Sequence, residues 1–117
     1  MEQTSLPLLG RIDAPDTVPR SLLSTVKSYR QVVRLCWALR RAKGLTATDL
    51  ARHFDFTRQH VSDYLNPDDH PARRSLPPDR IADFEDACGN TAITQWLASR
   101  QRFTLLEELQ AEARAAA

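Results

Sequence analysis

The 117-residue chain predicts an all-α fold, a compact bundle of five or six helices. Three observations carry that prediction. Apolar residues recur at helical spacing in segment after segment, as in Val32, Cys36 and Leu39 at i, i+4 and i+7. No segment alternates apolar and polar residues as a half-buried strand does. Helix starters and stoppers (Thr46, Thr57, Gly44, Asn66-Pro67, Pro77-Pro78, Gly89-Asn90) fall between the periodic segments.

Residues Met1 to Pro19, with Pro7, Gly10, Pro15 and Pro19 and no sustained period, read as a flexible N-terminal arm, taken as 1–20. A helix is expected to begin between Ser21 and Ser28 and to run to Lys43, with Val33 and Leu35 widening its apolar stripe. Arg40, Arg41 and Lys43 lie at its negative end, and Gly44 follows as a stop free to take positive φ. Thr46 is a natural N-cap, with Asp49 in the capping-box position. The next helix, Ala47 to Phe54, turns Leu50, Ala51 and Phe54 inward. Thr57 is placed to cap Arg58 to Leu65, whose inner face is Val61, Tyr64 and Leu65, and Asn66-Pro67 ends it.

After a polar loop, Asn66 to Leu76, a helix opens at Pro77 or Pro78 and carries Ile81, Phe84 and Cys88 on one face. Gly89 closes it. Asn90 caps Thr91 to Arg100, with Ile93, Trp96 and Leu97 inward. A last helix from about Phe103 uses Leu105, Leu106 and Leu109 before an Ala-rich tail. Three regions result: the arm (1–20), a central region (21–76) and the C-terminal helices (77–117).

The composition is that of an ordinary globular chain, 42 % apolar and 26 % charged. No apolar run approaches the roughly 18 residues that span a bilayer, so no membrane role is expected. The N-terminus carries no basic-then-apolar leader, and a cytoplasmic, nucleoid-associated location is the expectation. Cys36 and Cys88 lie far apart in apolar patterns and read as two buried thiols. His53, His60 and His70 have no metal-ligand spacing with them, so neither metal nor cofactor is expected. No glycine-rich loop, nucleophile elbow or carboxylate pair suggests an enzyme. The net charge is only +1, but it is unevenly spread. Nothing acidic lies between Asp16 and Asp49, a window holding Arg20, Lys27, Arg30, Arg34, Arg40, Arg41 and Lys43. The chain beyond Pro77 is acidic. A polyanion facing the basic half, or a merely solvated helix face, both fit.

The stretch LTATDLARHFDFTRQHVSDYLN, Leu45 to Asn66, sharpens this. It places a small residue, Ala51, where two short helices cross, a tight turn, and β-branched Val61 ten positions on, with Leu50, Phe54, Phe56 and Tyr64 as core. That is the spacing of a helix-turn-helix. The turn wants a left-handed residue; Asp55 stands there instead of Gly, at a cost of about 1 kcal/mol.

Tyr29 to Asn66 resembles the Cro/C1-type (XRE-like) helix-turn-helix regulators of phages and bacteria, whose fold is lambda-repressor-like. The segment IADFEDACGNTAITQWLASR is similar to the C-terminal half of small phage and prophage regulators. The resemblance implies a transcriptional regulator binding double-stranded DNA, its second motif helix in the major groove. On this chain the base-reading positions would be Thr57, Arg58, Gln59, Ser62 and Asp63. Arg58 suits guanine and Gln59 adenine; Ser62 suits base or phosphate; Asp63 either reads cytosine or orients Arg58. Phosphate contacts would come from Thr46, Arg52, His60, Arg73 and Arg74, with Arg40, Arg41 and Lys43 as possible flanks. Two-fold operators imply a homodimer, for which Trp96, Leu97, Leu105, Leu106 and Leu109 are the candidate surface; packing against Ile81 to Cys88 is the alternative for them. The competing function is a protein-binding adaptor, antitoxin-like or anti-repressor, working through the acidic C-terminal helices.

Overall fold

The structure, a computed structural model, describes residues 14–101 and 105–116, with side chains over 14–100 and 107–116. The described residues form seven helices: α1 (Arg20–Leu23), α2 (Tyr29–Ala38), α3 (Ala47–His53), α4 (Arg58–Leu65), α5 (Ile81–Cys88), α6 (Ala92–Gln101) and α7 (Leu105–Ala116), with a 3₁₀ turn, Pro78–Arg80, leading into α5. The all-α bundle expected from periodicity is the fold observed. No described helix is long and apolar enough to cross a membrane.

The long helix expected up to Lys43 is divided and shortened. Ser28, in extended conformation, accepts a hydrogen bond from the Gln31 N–H and starts α2 afresh, leaving α1 as a single turn. At the other end α2 stops at Ala38, five residues before Lys43. The Arg41 N–H turns away from the helix ladder to the Cys88 carbonyl (2.7 Å), and Arg40 donates to the carbonyls of Trp37, Lys43 and Leu45. Gly44 sits within this turn without a positive φ. The left-handed stop lies instead at Gly89, φ +80°, ending α5 as expected.

The tail of the presumed arm is also ordered. Asp16 pairs with Asn90 in an isolated parallel bridge, and the Asp16 N–H and C=O bond Gly89 and Thr91. Gln95 embraces the Val18 backbone through both amide atoms (2.7 and 2.9 Å), which buries Val18. The flexible reading therefore fails for residues 14–20. Residues 1–13 lie outside the described residues.

Helix α2 is the centre of the bundle, packed on α4 along one side and on α6 along another, with α5 across it; α3 reaches the body through α4. The core gathers Val32, Val33 and Cys36 of α2, Leu50 of α3, Val61 and Tyr64 of α4, Phe84 and Cys88 of α5, and Ile93 and Trp96 of α6, with Phe56 and Leu76 from the connections. Phe84 is its pivot, edge-to-face with Phe56 (6.1 Å) and tilted against Trp37 (6.2 Å). Burying a side chain of this size contributes about 2 to 3 kcal/mol. Cys36 and Cys88 are both buried free thiols; their mutual hydrogen bond and their burial push the Cys36 thiol far up, so it stays protonated.

Candidate functional site

The α3–turn–α4 unit is assembled from local rules and then pinned by three arginines. Thr46 and Asp49 form a complete capping box: the Asp49 N–H donates to Thr46 Oγ1, and the Thr46 N–H donates to Asp49 Oδ2 (2.9 Å). The Thr46 hydroxyl also donates to that carboxylate (3.1 Å). The backbone N–H and then the hydroxyl hold the Asp49 carboxyl below its ordinary range. This arrangement weakens the phosphate role expected of Thr46, because its hydroxyl is engaged and a carboxylate already occupies the helix N-terminus.

Helix α3 ends on Phe54, and Asp55 takes the left-handed conformation, φ +60°. It is the one non-glycine residue with positive φ among the described residues. Asp is tolerated there because its short polar side chain is among the least penalised in that region. The chain reverses, Phe56 is buried, and its N–H reaches back to Leu50 O (3.3 Å). Thr57 occupies the N-cap position of α4, but its side chain makes no capping hydrogen bond.

Arg80 clamps the turn. It donates to Phe54 O (2.7 Å) and Asp55 O (3.2 Å), lies 4.0 Å over the Phe56 ring, and is oriented by Asp83 (3.1 Å). Arg30 does the same for the far end of α4. Only 5 % exposed, it donates to the carbonyls of Asp63, Tyr64 and Asn66, to Arg74 O, and to the Asp69 carboxylate (3.0 Å). Arg34 adds a bond to Leu65 O (3.2 Å). In one stroke the last carbonyls of α4, unpaired in any isolated helix, gain partners from α2, and the loop after α4 is drawn against it. Sequence reading counted Arg30, Arg34 and Arg80 only as charges, because nothing in local spacing marks an arginine that caps another helix.

Most cations of the basic window are tied to the backbone, although Arg20, Lys27, Arg34, Arg41 and Lys43 remain exposed. Arg30, Arg34, Arg40, Arg41 and Lys43 all donate to backbone carbonyls, with Lys43 on Ala38 O (2.9 Å) and Arg41 on Ala14 O (2.7 Å) and beside Asp16 (3.2 Å). Arg40 further covers Trp37, 4.4 Å from the ring centre. Arg40, Arg41 and Lys43 are bound to their own framework.

Against that background the outer face of α4 differs. Thr57, Arg58, Gln59 and Ser62 are exposed, and their side chains make no hydrogen bond or ion pair among the described residues. Arg52 on α3 is likewise exposed and unengaged, and His60 is half-buried. Asp63 is not placed as expected. Its partners are Arg74 (3.5 Å) and Arg73 (3.9 Å) from the following loop, not Arg58. Arg73 also approaches Asp68 (3.5 Å).

The C-terminal candidates separate. Trp96 is 7 % exposed within the chain's own core, with Arg100 over its ring at 4.8 Å, so it offers no docking surface; Leu97 is partly buried against the same core. Both belong to the chain's own core, where α6 packs on α2 as well as on α5, the helix named as the alternative. Leu109 on α7 is 57 % exposed. The side chains of Leu105 and Leu106 lie outside the described residues. Among the described residues no three His, Cys, Asp or Glu side chains group as metal ligands. No protein-family model, curated protein or solved structure matches the chain.

Proposed function

We propose that the protein is a sequence-specific double-stranded DNA-binding transcriptional regulator of the Cro/C1 type, acting as a homodimer in the cytoplasm on nucleoid DNA. Helix α4 enters the major groove, with Thr57, Arg58, Gln59 and Ser62 toward base edges and Arg52, Arg73 and Arg74 toward phosphates. One observation carries the reading. Beside arginines that hold backbone carbonyls or carboxylates (Arg30, Arg34, Arg73, Arg74 and Arg80), the exposed face of α4 presents a guanidinium and a carboxamide side by side with nothing to bind. These are the groups that pair bidentately with guanine and adenine. A rigid helix with pre-placed donors loses little side-chain and loop freedom on docking.

Selection of sites from random duplex DNA at near-physiological salt tests it. The expected result is an inverted repeat with half-site centres about one helical turn apart. Arg58→Ala and Gln59→Ala should each lower affinity for the selected site by about 1–3 kcal/mol while leaving the circular dichroism spectrum unchanged. Absence of any enriched sequence would sink the reading.

A second reading, the protein-binding adaptor, draws on α7. Its described side chains, Glu107 to Ala116, are all exposed, and a groove of about 810 Å³ runs between the Thr17–Ser24 segment and α6, lined by Val18, Pro19, Leu23 and Ala98. An adaptor would be indifferent to Arg58→Ala and sensitive to Leu109→Asp.

A further inference from the structure

Asp63 is a carboxylate on the helix proposed to read DNA, at a place where a polyanion approaches. Such a residue needs either a base to read or a reason to repel. The geometry points to a third role: Asp63 is an internal stand-in for a DNA phosphate, which occupies Arg73 and Arg74 and so limits the sequence-independent part of DNA binding. This rests on the DNA-binding reading and deepens it.

Four observations support the assignment. Both guanidinium groups converge on the one carboxylate, Arg74 Nη1 on Oδ2 at 3.5 Å and Arg73 Nη1 on Oδ1 at 3.9 Å. The loop that carries them is held beside α4 by Arg30, whose guanidinium binds the Asp63 and Arg74 carbonyls together, so the convergence is built into the fold. The two contacts are long and half in solvent, the side chains of Asp63, Arg73 and Arg74 being 21 %, 36 % and 57 % exposed. Neither is the short, parallel fork by which arginine holds a carboxylate firmly, and Arg73 Nε makes no hydrogen bond, only a 3.5 Å approach to the Asp68 carboxylate. An anion presented in a better geometry can take these arginines over.

The consequence is electrostatic. Non-specific affinity grows with the number of phosphates neutralised, and the logarithm of the binding constant falls with the logarithm of salt by about 0.9 for each. Arg73 and Arg74 face the carboxylates of Asp63 and Asp68 and with them carry no net charge toward the backbone; without the Asp63 carboxylate the group carries one net positive charge. Asp63 therefore removes about one phosphate equivalent from the contact, leaving more of the affinity to Arg58 and Gln59. It acts through Arg73 and Arg74, as a positioning residue.

The test is the salt dependence of binding of the full chain to a fluorescein-labelled duplex of random sequence, from 50 mM to 400 mM KCl, for the unaltered protein, D63N, D63E, and R73A/R74A with and without D63N. The slope of D63N should steepen by about 0.9, with affinity raised about fifteenfold at 50 mM and about fivefold at 150 mM. D63E should restore the unaltered slope. On the R73A/R74A background D63N should leave the slope where it is, since no guanidinium remains to gain a phosphate. The melting temperature of D63N should move little, because long, partly solvated ion pairs contribute little to stability while the Asp63 carbonyl keeps its bond to Arg30. An unchanged slope with altered preference at one base pair would make Asp63 a base reader and overturn the proposal. A weaker, shallower D63N would also overturn it, by showing that Asp63 delivers the arginines to DNA. No duplex binding by the unaltered protein would instead overturn the DNA-binding reading beneath it.

Discussion

Asp55 shows how one residue sets the angle between two helices. Its left-handed conformation (φ +60°) costs about 1 kcal/mol in a non-glycine residue, and that cost is offset by Arg80 on its carbonyl and by burial of Phe56 beside it. Asp55→Gly should raise the unfolding free energy measured by urea denaturation by no more than about 1 kcal/mol, since glycine's freedom in the unfolded chain offsets part of the relief. Asp55→Val, β-branched at positive φ, should lower stability by more than 1 kcal/mol on the order of the left-handed penalty. Gly89 is the stricter case. Its φ is +80°, and an added Cβ would lie 2.9 Å from Arg41 Cβ, so Gly89→Ala meets strain and a clash together. Tyr29 contributes a pH dependence. Its hydroxyl donates to Leu76 O (2.7 Å), and burial, then the charges of Glu85 and Tyr64, push its phenol from 10.0 up to about 12. A raised folded pKa means the stabilisation is complete below pH 10 and is lost as pH rises from there toward 12. An alkaline melting series should show that loss, and Tyr29→Phe should reduce it to the part left by Tyr64, whose phenol burial also raises, at the cost of about 1 kcal/mol at neutral pH for the unpaired carbonyl.

Among the elements, α4 depends on its neighbours more than on itself. It is eight residues long, has no side-chain N-cap, and would not persist alone in water. What stabilises it is Val61 and Tyr64 in the core and the carbonyl contacts of Arg30 and Arg34 at its C-terminal end. Arg30→Leu would strand several carbonyls near the interior, each costing about 1–3 kcal/mol when buried. Chemical denaturation should register a loss of about 3 kcal/mol, and proteolysis in the Asn66–Leu76 loop should accelerate. The Asp69 ion pair adds little, since Asp69 is largely in solvent. Helix α3 carries its own signature in the capping box. With the Asp49 carboxyl depressed, its contribution is present above the ordinary value of 3.8 and disappears as pH falls below it. Asp49→Asn should therefore flatten the acid limb of the stability profile.

In the whole molecule the body and the last helix play separate parts. Val18, Gln95 and Asn90 tie the segment before α1 into the α5–α6 corner, closing the body around α2. Among the described residues helix α7 forms no extensive helix pair with that body, and its described side chains, Glu107 to Ala116, are exposed. A chain ending after Gln101 should keep its melting temperature within about 4 °C, the shift that under 1 kcal/mol produces in a domain of this size. If α7 supplies the proposed dimer contact, sedimentation should show the shortened chain as a monomer with reduced affinity for a two-fold site and unchanged affinity for a half-site. A monomeric full-length chain would refute the dimer proposal without touching the groove-reading one.

Local chemistry is what the chain reveals unaided. Periodicity located α3, α4 and α6 to within a residue or so and the end of α5, whose start lies three residues past Pro78 because a 3₁₀ turn precedes it. Thr46 with Asp49 announced a capping box, Gly89 a left-handed stop, and Asp55 a tight turn, because each depends on neighbours a few positions away. The exposed face of α4 was legible for the same reason. Tertiary structure alone decided what the charges do. Whether an arginine faces solvent or caps a helix tens of residues away depends on which carbonyls the packing leaves open. Arg30, Arg34 and Arg80 bind backbone 25 to 44 positions distant. The same packing ended α2 early, by drawing the Arg41 N–H to Cys88 O, and turned Trp96 into the core. It also joined Asp63 to Arg73 and Arg74, since a long-range ion pair leaves no spacing in the sequence from which to read it.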